Sequence, residues 1–306
     1  MTEESPGDPV SVYPFIEAEK VEHRNVTKAC ELMEVSRSAF YDWVQHRPSR
    51  REVSDAELGE RIDKIHAKSR GTYGAPRVHA QLRRDGMHVA RKRVARIMTT
   101  HGLAGRCTRH WKRTTIADPG AQTAVDLIKR HFGPGTVECD RVYVGDITYL
   151  WTWEGWAYLA TVIDLASRRV VGWAIADHME ASLVCDALNM AIAARRPAPG
   201  WIFGSDRGSQ YTSTEFRALL KAHHGVQSLS RQGQCWDNAV GESWFATLKE
   251  ELIHRQSWAT IAQIRRAVVA FIELFYNHQR LHSSLGYLTP AEFEQQIHQT
   301  PRRKAA

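Results

Sequence analysis

The sequence lacks the features that would place the chain in a membrane or an oxidising compartment. No stretch approaches the roughly 18 uninterrupted apolar residues of a spanning helix. The opening residues, Met1 to Pro9, are acidic and carry proline and glycine, the opposite of a secretory signal. Only five cysteines occur in 306 residues (Cys30, Cys107, Cys139, Cys185, Cys235), and none forms a Cys-x-x-Cys pair. An odd, scattered set of this kind reads as reduced thiols in a cytosolic protein and speaks against a structural zinc site. Repeats and low-complexity tracts are absent. The 43% apolar and 25% charged fractions are those of a globular protein, and the length suffices for two or three domains.

Acidic residues are scarce in one region. Between Glu60 and Arg113 only Glu60, Asp63 and Asp85 oppose 15 lysines and arginines, so this stretch carries +12 while the whole chain carries +7. Cations gathered in one module are the footprint of a phosphate-backbone binder, which makes nucleic acid the expected partner.

The apolar pattern divides the chain. Residues 1–24 are polar and expected to be disordered. Residues 25–50 read as two short helices joined by a tight turn, a helix-turn-helix-like segment with Ser36 as cap of the second helix. Pro48 to Arg51 should end it. Residues 55–112 form a basic helical module: a helix over 56–69, the turn Gly71-Thr72-Tyr73-Gly74-Ala75-Pro76, a helix closed by Gly86, and a helix over 89–98. That last helix turns Val94, Ile97 and Met98 inward and offers Arg91, Lys92, Arg93 and Arg96 to phosphates. Residues 113–135 read as a linker. From 136 to 252 the texture is mixed α/β: strand runs over 137–144 and 147–150, strands over 156–163 and 167–176 completing an antiparallel meander, then helix, strand, helix, strand and helix. Residues 253–306 read as a C-terminal helical segment with a basic tail.

Three acids stand where this α/β domain would present them. Asp146 falls inside the strand-forming run Val144-Gly145-Asp146-Ile147-Thr148-Tyr149, where an unpaired carboxylate is costly. Asp206 follows the short strand Trp201-Ile202-Phe203, at the carboxyl end where α/β sheets place ligands. Glu242 lies on the helix after Trp236-Asp237-Asn238-Ala239. Carboxylates from three elements can hold two divalent metals about 3.5–4 Å apart, and their oxygens suit magnesium or manganese. Taken singly, each acid could equally be a surface or capping residue.

Spacing and surrounding words go further. Thirty-five residues separate Asp206 from Glu242, and Lys249 follows Glu242 by seven, two turns along one helix face. This pattern resembles the catalytic signature of retroviral integrases and bacterial insertion-sequence transposases. The words Gly145-Asp146-Ile147-Thr148-Tyr149, Ser205-Asp206-Arg207-Gly208-Ser209-Gln210-Tyr211 and Cys235-Trp236-Asp237-Asn238-Ala239 through Glu242-Ser243 are similar to those of the insertion sequence 3 family. So are the tail Tyr276-Asn277-His278-Gln279-Arg280-Leu281-His282-Ser283-Ser284-Leu285-Gly286-Tyr287-Leu288-Thr289-Pro290 and the stretch Gly71 to Val78. The resemblance spans roughly residues 25–295. Gly204 stands where the family commonly has histidine, and Ala90 replaces a usual capping serine, which would loosen the basic helix's first turn by about 1 kcal/mol. The zinc-binding His/His/Cys/Cys module of retroviral integrases has no counterpart.

The resemblance implies a ribonuclease H-like integrase core, a mixed five-stranded sheet flanked by helices and preceded by helix-turn-helix-like modules. It implies two Mg2+ or Mn2+ ions held by Asp146, Asp206 and Glu242 for in-line transesterification. Lys249 would contact the DNA end, or stand as an ordinary exposed helix lysine. Arg207 and Gln210, with Arg77 of the helical module, would touch DNA, although the first two could instead cap the Asp206 turn. Asn277, Arg280 and His282 would orient the site or serve the tail's own packing. The expected setting is a synaptic homo-oligomer on element ends and target DNA, in the bacterial cytoplasm at the nucleoid. The chain looks like the downstream-frame product, with an upstream helix-turn-helix and coiled-coil segment as its fusion partner. Two rival readings share parts of this evidence: a catalytically silent, domesticated DNA-binding regulator, and a nuclease that only hydrolyses.

Overall fold

The computed structural model describes residues 9–45, 48–106, 137–229 and 239–299. Two compact units emerge, residues 1–61 and 62–306. The expected linker over 113–135, the Cys235-Trp236-Asp237 word and the extreme basic tail lie outside the described residues.

The first unit corrects two expectations. Residues 9–21, set aside as disordered, form helix α1 (Pro9–Val21). Its Tyr13 and Ile16 are buried with Cys30 and Phe40 of the next two helices, α2 (Val26–Leu32) and α3 (Arg37–Val44). Tyr13 packs its ring 5.6 Å from that of Trp43. Ser36 does not cap α3, because its Oγ meets Ser38 Oγ at 2.8 Å. A side-chain cap exists instead on α2, where Asn25 Oδ1 accepts from the backbone N–H groups of Thr27 and Lys28. Pro48 and Ser49 lie outside any helix, between α3 and the next helix. Ser49 Oγ accepts from Glu52 N, and the Glu52 carboxylate accepts from Ser49 N, a capping box that starts helix α4 (Arg50–Lys68) six residues before Ala56.

In the second unit α4 ends at the glycine turn, followed by α5 (Ala75–Arg84) and α6 (Arg91–Thr100). Val78, Leu82, Val94, Ile97 and Met98 are buried, as their spacing required. Strand β1 (Val142–Thr152) is continuous, where the sequence suggested two runs. Gly145 does not interrupt it. The Phe203 ring lies over this position, and a Cβ there would come 2.9 Å from Phe203 Cε1. Strands β2 (Gly155–Asp164) and β3 (Val170–Ala176) complete the antiparallel meander. Helix α7 (Ala181–Arg195), β4 (Ile202–Ser205), α8 (Thr214–Ala222), β5 (Val226–Leu229) and α9 (Ala239–Glu251) follow. The sheet order is β3-β2-β1-β4-β5, with β4 parallel to both β1 and β5. This is the five-stranded ribonuclease H-like arrangement. Helices α7 and α8 cover one face over Tyr143, Trp201, Phe203 and Phe216, and α9 packs against β1.

The C-terminal segment is part of the core's construction and not an appendage to it. It comprises α10 (Ile261–Ala270), a π-helical turn over Phe271–Tyr276, and α11 (Pro290–Gln299). The Asn277 amide closes both hydrogen bonds of the Val170 backbone, at 3.1 and 3.0 Å, where β3 begins. Buried Glu294 receives Arg169, Arg195 and Ser167. The helical module is tied to the same segment. Tyr73 donates to Gln279 O and accepts from Leu281 N, and Arg84 donates to Tyr287 O. No helix among the described residues is long and apolar enough to cross a membrane.

Candidate active site

Two of the expected carboxylates lie on or just after the paired strands β1 and β4. Strands β1 and β4 run parallel with Val142 opposite Ile202 and Val144 opposite Gly204. Continued two residues further, the same register would bring Asp146 opposite Asp206, the residue just past the end of β4. Asp146 is half-buried and Asp206 exposed. Asp206 Oδ1 accepts from Gly208 N at 2.9 Å, which fixes the turn that follows the strand. Glu242 sits in the first turn of α9, the helix packed on β1. Partial burial pushes its carboxyl above the usual glutamate range.

Tyr211, quoted in the sequence only as the end of a word, belongs to this site. Its ring is buried against Phe203 and Phe216. Burial first, and then the charges of Asp146 and Asp206, push its hydroxyl well above the ordinary tyrosine value. The hydroxyl therefore stays protonated beside both aspartates. Its position five residues after Asp206 was the available signal, but nothing in the sequence showed that the turn folds back under β4.

Among the described residues, the three-ligand group closed to within 4.8 Å is a different one, Cys139, Asp164 and Glu294. Those oxygens are already used: Asp164 accepts from Asp140 N, Ser167 N and Ser167 Oγ, while Glu294 is held by two arginines. The Cys139 thiol is pushed up to about 12 by burial and the neighbouring carboxylates, so it remains protonated. This cluster is an internal ion-pair and hydrogen-bond network. The Asp146, Asp206 and Glu242 set stands more open.

Comparison with known proteins gives this geometry a family. Residues 137–235 match the family model described as integrase core domain, residues 225–290 match a second integrase core domain model, and residues 53–111 match an HTH-like domain. Transposase InsF for insertion sequence IS3A of Escherichia coli strain K12 is 37% identical over 287 residues, covering 92% of this chain and 98% of the relative. The protein assigned as transposase for insertion sequence element IS986/IS6110 of Mycobacterium tuberculosis strain H37Rv is 40% identical over 281 residues, 90% of this chain and 100% of the relative. The chain belongs to the insertion sequence 3 family of transposases. Among solved structures, the catalytic core domain of BIV integrase aligns with a TM-score of 0.40 at 16% identity, covering 52% of this chain and 96% of that one.

Within this transposase the expected DNA contacts are placed unevenly. Arg91, Lys92 and Arg96 stand exposed on α6, and Arg93 is half-buried. The helix starts at Ala90 without a side-chain cap, with three cations in its first turn. That arrangement is repulsive toward the helix dipole by itself and favourable against a phosphate. Arg207 is exposed beside Asp206, and Lys249 is half-buried two turns along α9 from Glu242. The Gln210 amide nitrogen is spent on Met179 O at 2.9 Å, bracing the Asp206 turn. Arg77 is likewise committed inward, its Nε donating to Leu281 O at 3.0 Å.

The tail residues divide by role. Asn277 completes the β3 edge, as described, and does not reach the carboxylates. Arg280 is buried and grips Glu251 with two hydrogen bonds of 2.9 and 2.7 Å. His282 is half-buried next to it. Burial, followed by the charges of Arg280, Arg77 and Arg168, holds its imidazole well below the usual histidine range.

Proposed function

We propose that this protein catalyses DNA transposition, cutting DNA at the ends of its own element and joining the freed 3′-hydroxyls to target DNA. The observation that supports the reading is the parallel pairing of β1 and β4, whose register, continued two residues past Val144 and Gly204, brings Asp146 to Asp206 at the carboxyl end of β4, with Glu242 on the helix packed against β1. Three carboxylates from three rigid elements form an all-oxygen donor set, the chemistry that magnesium or manganese prefers. When bound, a pair of such ions supplies activation of an oxygen nucleophile and stabilisation of the leaving oxygen. In the cutting step water attacks the phosphodiester at the element end, leaving a 5′-phosphate and freeing a 3′-hydroxyl; in the joining step that 3′-hydroxyl attacks a target phosphodiester and displaces its 3′-oxygen, so joining makes one phosphodiester for each one it breaks and needs no external energy source.

The chain's own residues prepare that reaction. Gly208 N and the Gln210 bridge to Met179 fix the turn that presents Asp206. Tyr211 keeps its proton beside both aspartates and offers a donor to a carboxylate or a phosphate oxygen. Lys249 and Arg207 meet the DNA backbone near the site, while the exposed arginines and lysine of α6 hold the element end through its phosphates. The active assembly is a homo-oligomer that synapses two ends, with the upstream-frame product joined as a fusion partner.

The test is a reaction on labelled DNA carrying the gene's own flanking ends, with magnesium or manganese, comparing wild type and Asp206→Asn. Joined products that disappear in the variant support the proposal. Nicks without joining, even with the fused upstream segment present, would make the protein a hydrolase. Binding without any cleavage would make it a DNA-binding regulator.

A further inference from the structure

The register of the antiparallel meander sets a row of side chains across one face of the sheet. Asp146 on β1 stands directly opposite Thr161 on β2, and Thr161 stands directly opposite Trp173 on β3. The row continues off the sheet, because the Trp173 indole N–H donates to the Glu273 carboxylate of the π-helical turn at 2.8 Å. Thr161 at its centre is 1% exposed, and its hydroxyl finds no hydrogen-bond partner among the described residues. A buried hydroxyl left unpaired is costly, and valine would fill nearly the same space without that cost. Of the four neighbours of Thr161 within this face of the sheet, Leu159 and Ile163 along β2 are apolar, and the Trp173 ring offers only the N–H already given to Glu273. The fourth, Asp146, carries acceptor oxygens. Directly paired residues hold their Cβ atoms about 4.5–5.5 Å apart, a span that a hydroxyl and a carboxylate reaching toward each other close to hydrogen-bond length.

We infer that Thr161 is a positioning residue for Asp146, its hydroxyl donating to the carboxylate when Asp146 turns to hold a metal ion. In the present arrangement one Asp146 oxygen accepts from the Ile147 N–H at 2.8 Å, and a carboxylate has lone pairs for further donors. A hydrogen bond from Thr161 fixes the direction of the ligating carboxylate, as the partners of metal ligands do. Trp173, tied to Glu273, closes the β3 side of Thr161 and leaves β1 as the side toward which the hydroxyl donates. The metal-free fold carries the unpaired hydroxyl, and the loaded one uses it. The inference rests on the reading of Asp146 as a metal ligand and extends it to a residue that touches neither metal nor DNA.

The experiment compares the full chain carrying Thr161→Val, Thr161→Ser or Asp206→Asn with wild type. It reads the melting temperature without metal, Mn2+ affinity by electron paramagnetic resonance of the free ion, and affinity for an element-end duplex. Thr161→Val is expected to raise the metal-free melting temperature by about 2–4 °C, since it removes a buried unpaired hydroxyl, yet to weaken Asp206-dependent Mn2+ binding by about tenfold or more. Its cleavage deficit closes as Mn2+ is raised, and its DNA affinity equals that of wild type. Thr161→Ser keeps the hydroxyl and is expected to retain wild-type Mn2+ affinity, although the lost methyl lowers its melting temperature. Stability and metal affinity thus move in opposite directions, whereas a purely structural threonine would move them together. Wild-type Mn2+ affinity in Thr161→Val, or an equal loss of affinity in Thr161→Ser, would overturn the inference and leave the carboxylate reading standing. Mn2+ binding that Asp206→Asn leaves unchanged would sink the metal reading itself, and the inference with it.

Discussion

Replacing Glu294 by alanine measures how deeply the C-terminal segment is built into the catalytic core. The carboxylate is 4% exposed and accepts hydrogen bonds from Ser167 Oγ at 2.9 Å, Arg169 Nη1 at 2.6 Å and Arg195 Nη2 at 2.7 Å. Its removal strands two guanidiniums, and breaking such a buried pair costs about 3–5 kcal/mol. The lower end applies, because Asp140 still holds Arg195 Nε and Arg169 reaches solvent. A loss of about 3 kcal/mol corresponds to a fall in Tm of about 6–12 °C for a domain of this size. Acid should erase the difference. Burial pushes the Glu294 carboxyl up, but Arg195 and Arg169 outweigh it and hold the group below its ordinary value. A carboxylate depressed in the folded state stabilises above its unfolded pKa and loses that contribution as pH falls through the folded one. The gap between wild type and Glu294→Ala, read by urea unfolding, is therefore widest near neutrality and closes below about pH 4. A difference under about 1 kcal/mol at pH 7, or one indifferent to acid, would refute the reasoning.

Other outcomes follow from close contacts. Gly145→Ala drives a methyl into the Phe203 ring next to Asp146, so a loss of about 1–3 kcal/mol is expected, with DNA cleavage falling more than DNA binding. Unchanged Tm and cleavage would show that the ring yields freely. Tyr73→Phe leaves Gln279 O and the buried Leu281 N–H without their partner, for about 1–3 kcal/mol in chemical denaturation. Stability equal to wild type would mean that the helical module is not anchored through this hydroxyl.

The sheet was legible because β-branched and aromatic runs such as Trp156 to Ile163 have no helical alternative, and because α7 and α9 carry unbroken apolar faces. The carboxylate positions were legible through their spacing and neighbouring words. What escaped was whatever depends on partners distant in sequence. Helix α1 carries an internal Pro14 and its apolar residues do not gather on one face, so its burial of Tyr13 and Ile16 could not be seen without Phe40 opposite them. The capping box Ser49–Glu52 lay behind Pro48, which read as a stop. Gly145 lay between two strand runs, and nothing local showed that the Phe203 ring fills its vacant side. Arg77 counted as one more surface cation in a basic stretch, yet its hydrogen-bond partner lies 204 residues away. The embedding of the tail rests on Glu294 and Asn277, single polar residues whose neighbours no local pattern reveals.

The central claim is that Asp146, Asp206 and Glu242 act together on DNA. Its most direct test is single-turnover cleavage of an element end by Asp146→Asn, Asp206→Asn and Glu242→Gln, each beside a binding measurement on the same DNA. All three are expected to lose about a hundredfold or more in cleavage, the scale of removing one charge-stabilising group, while binding stays within about twofold of wild type. Near-wild-type cleavage by any one of them would contradict the account.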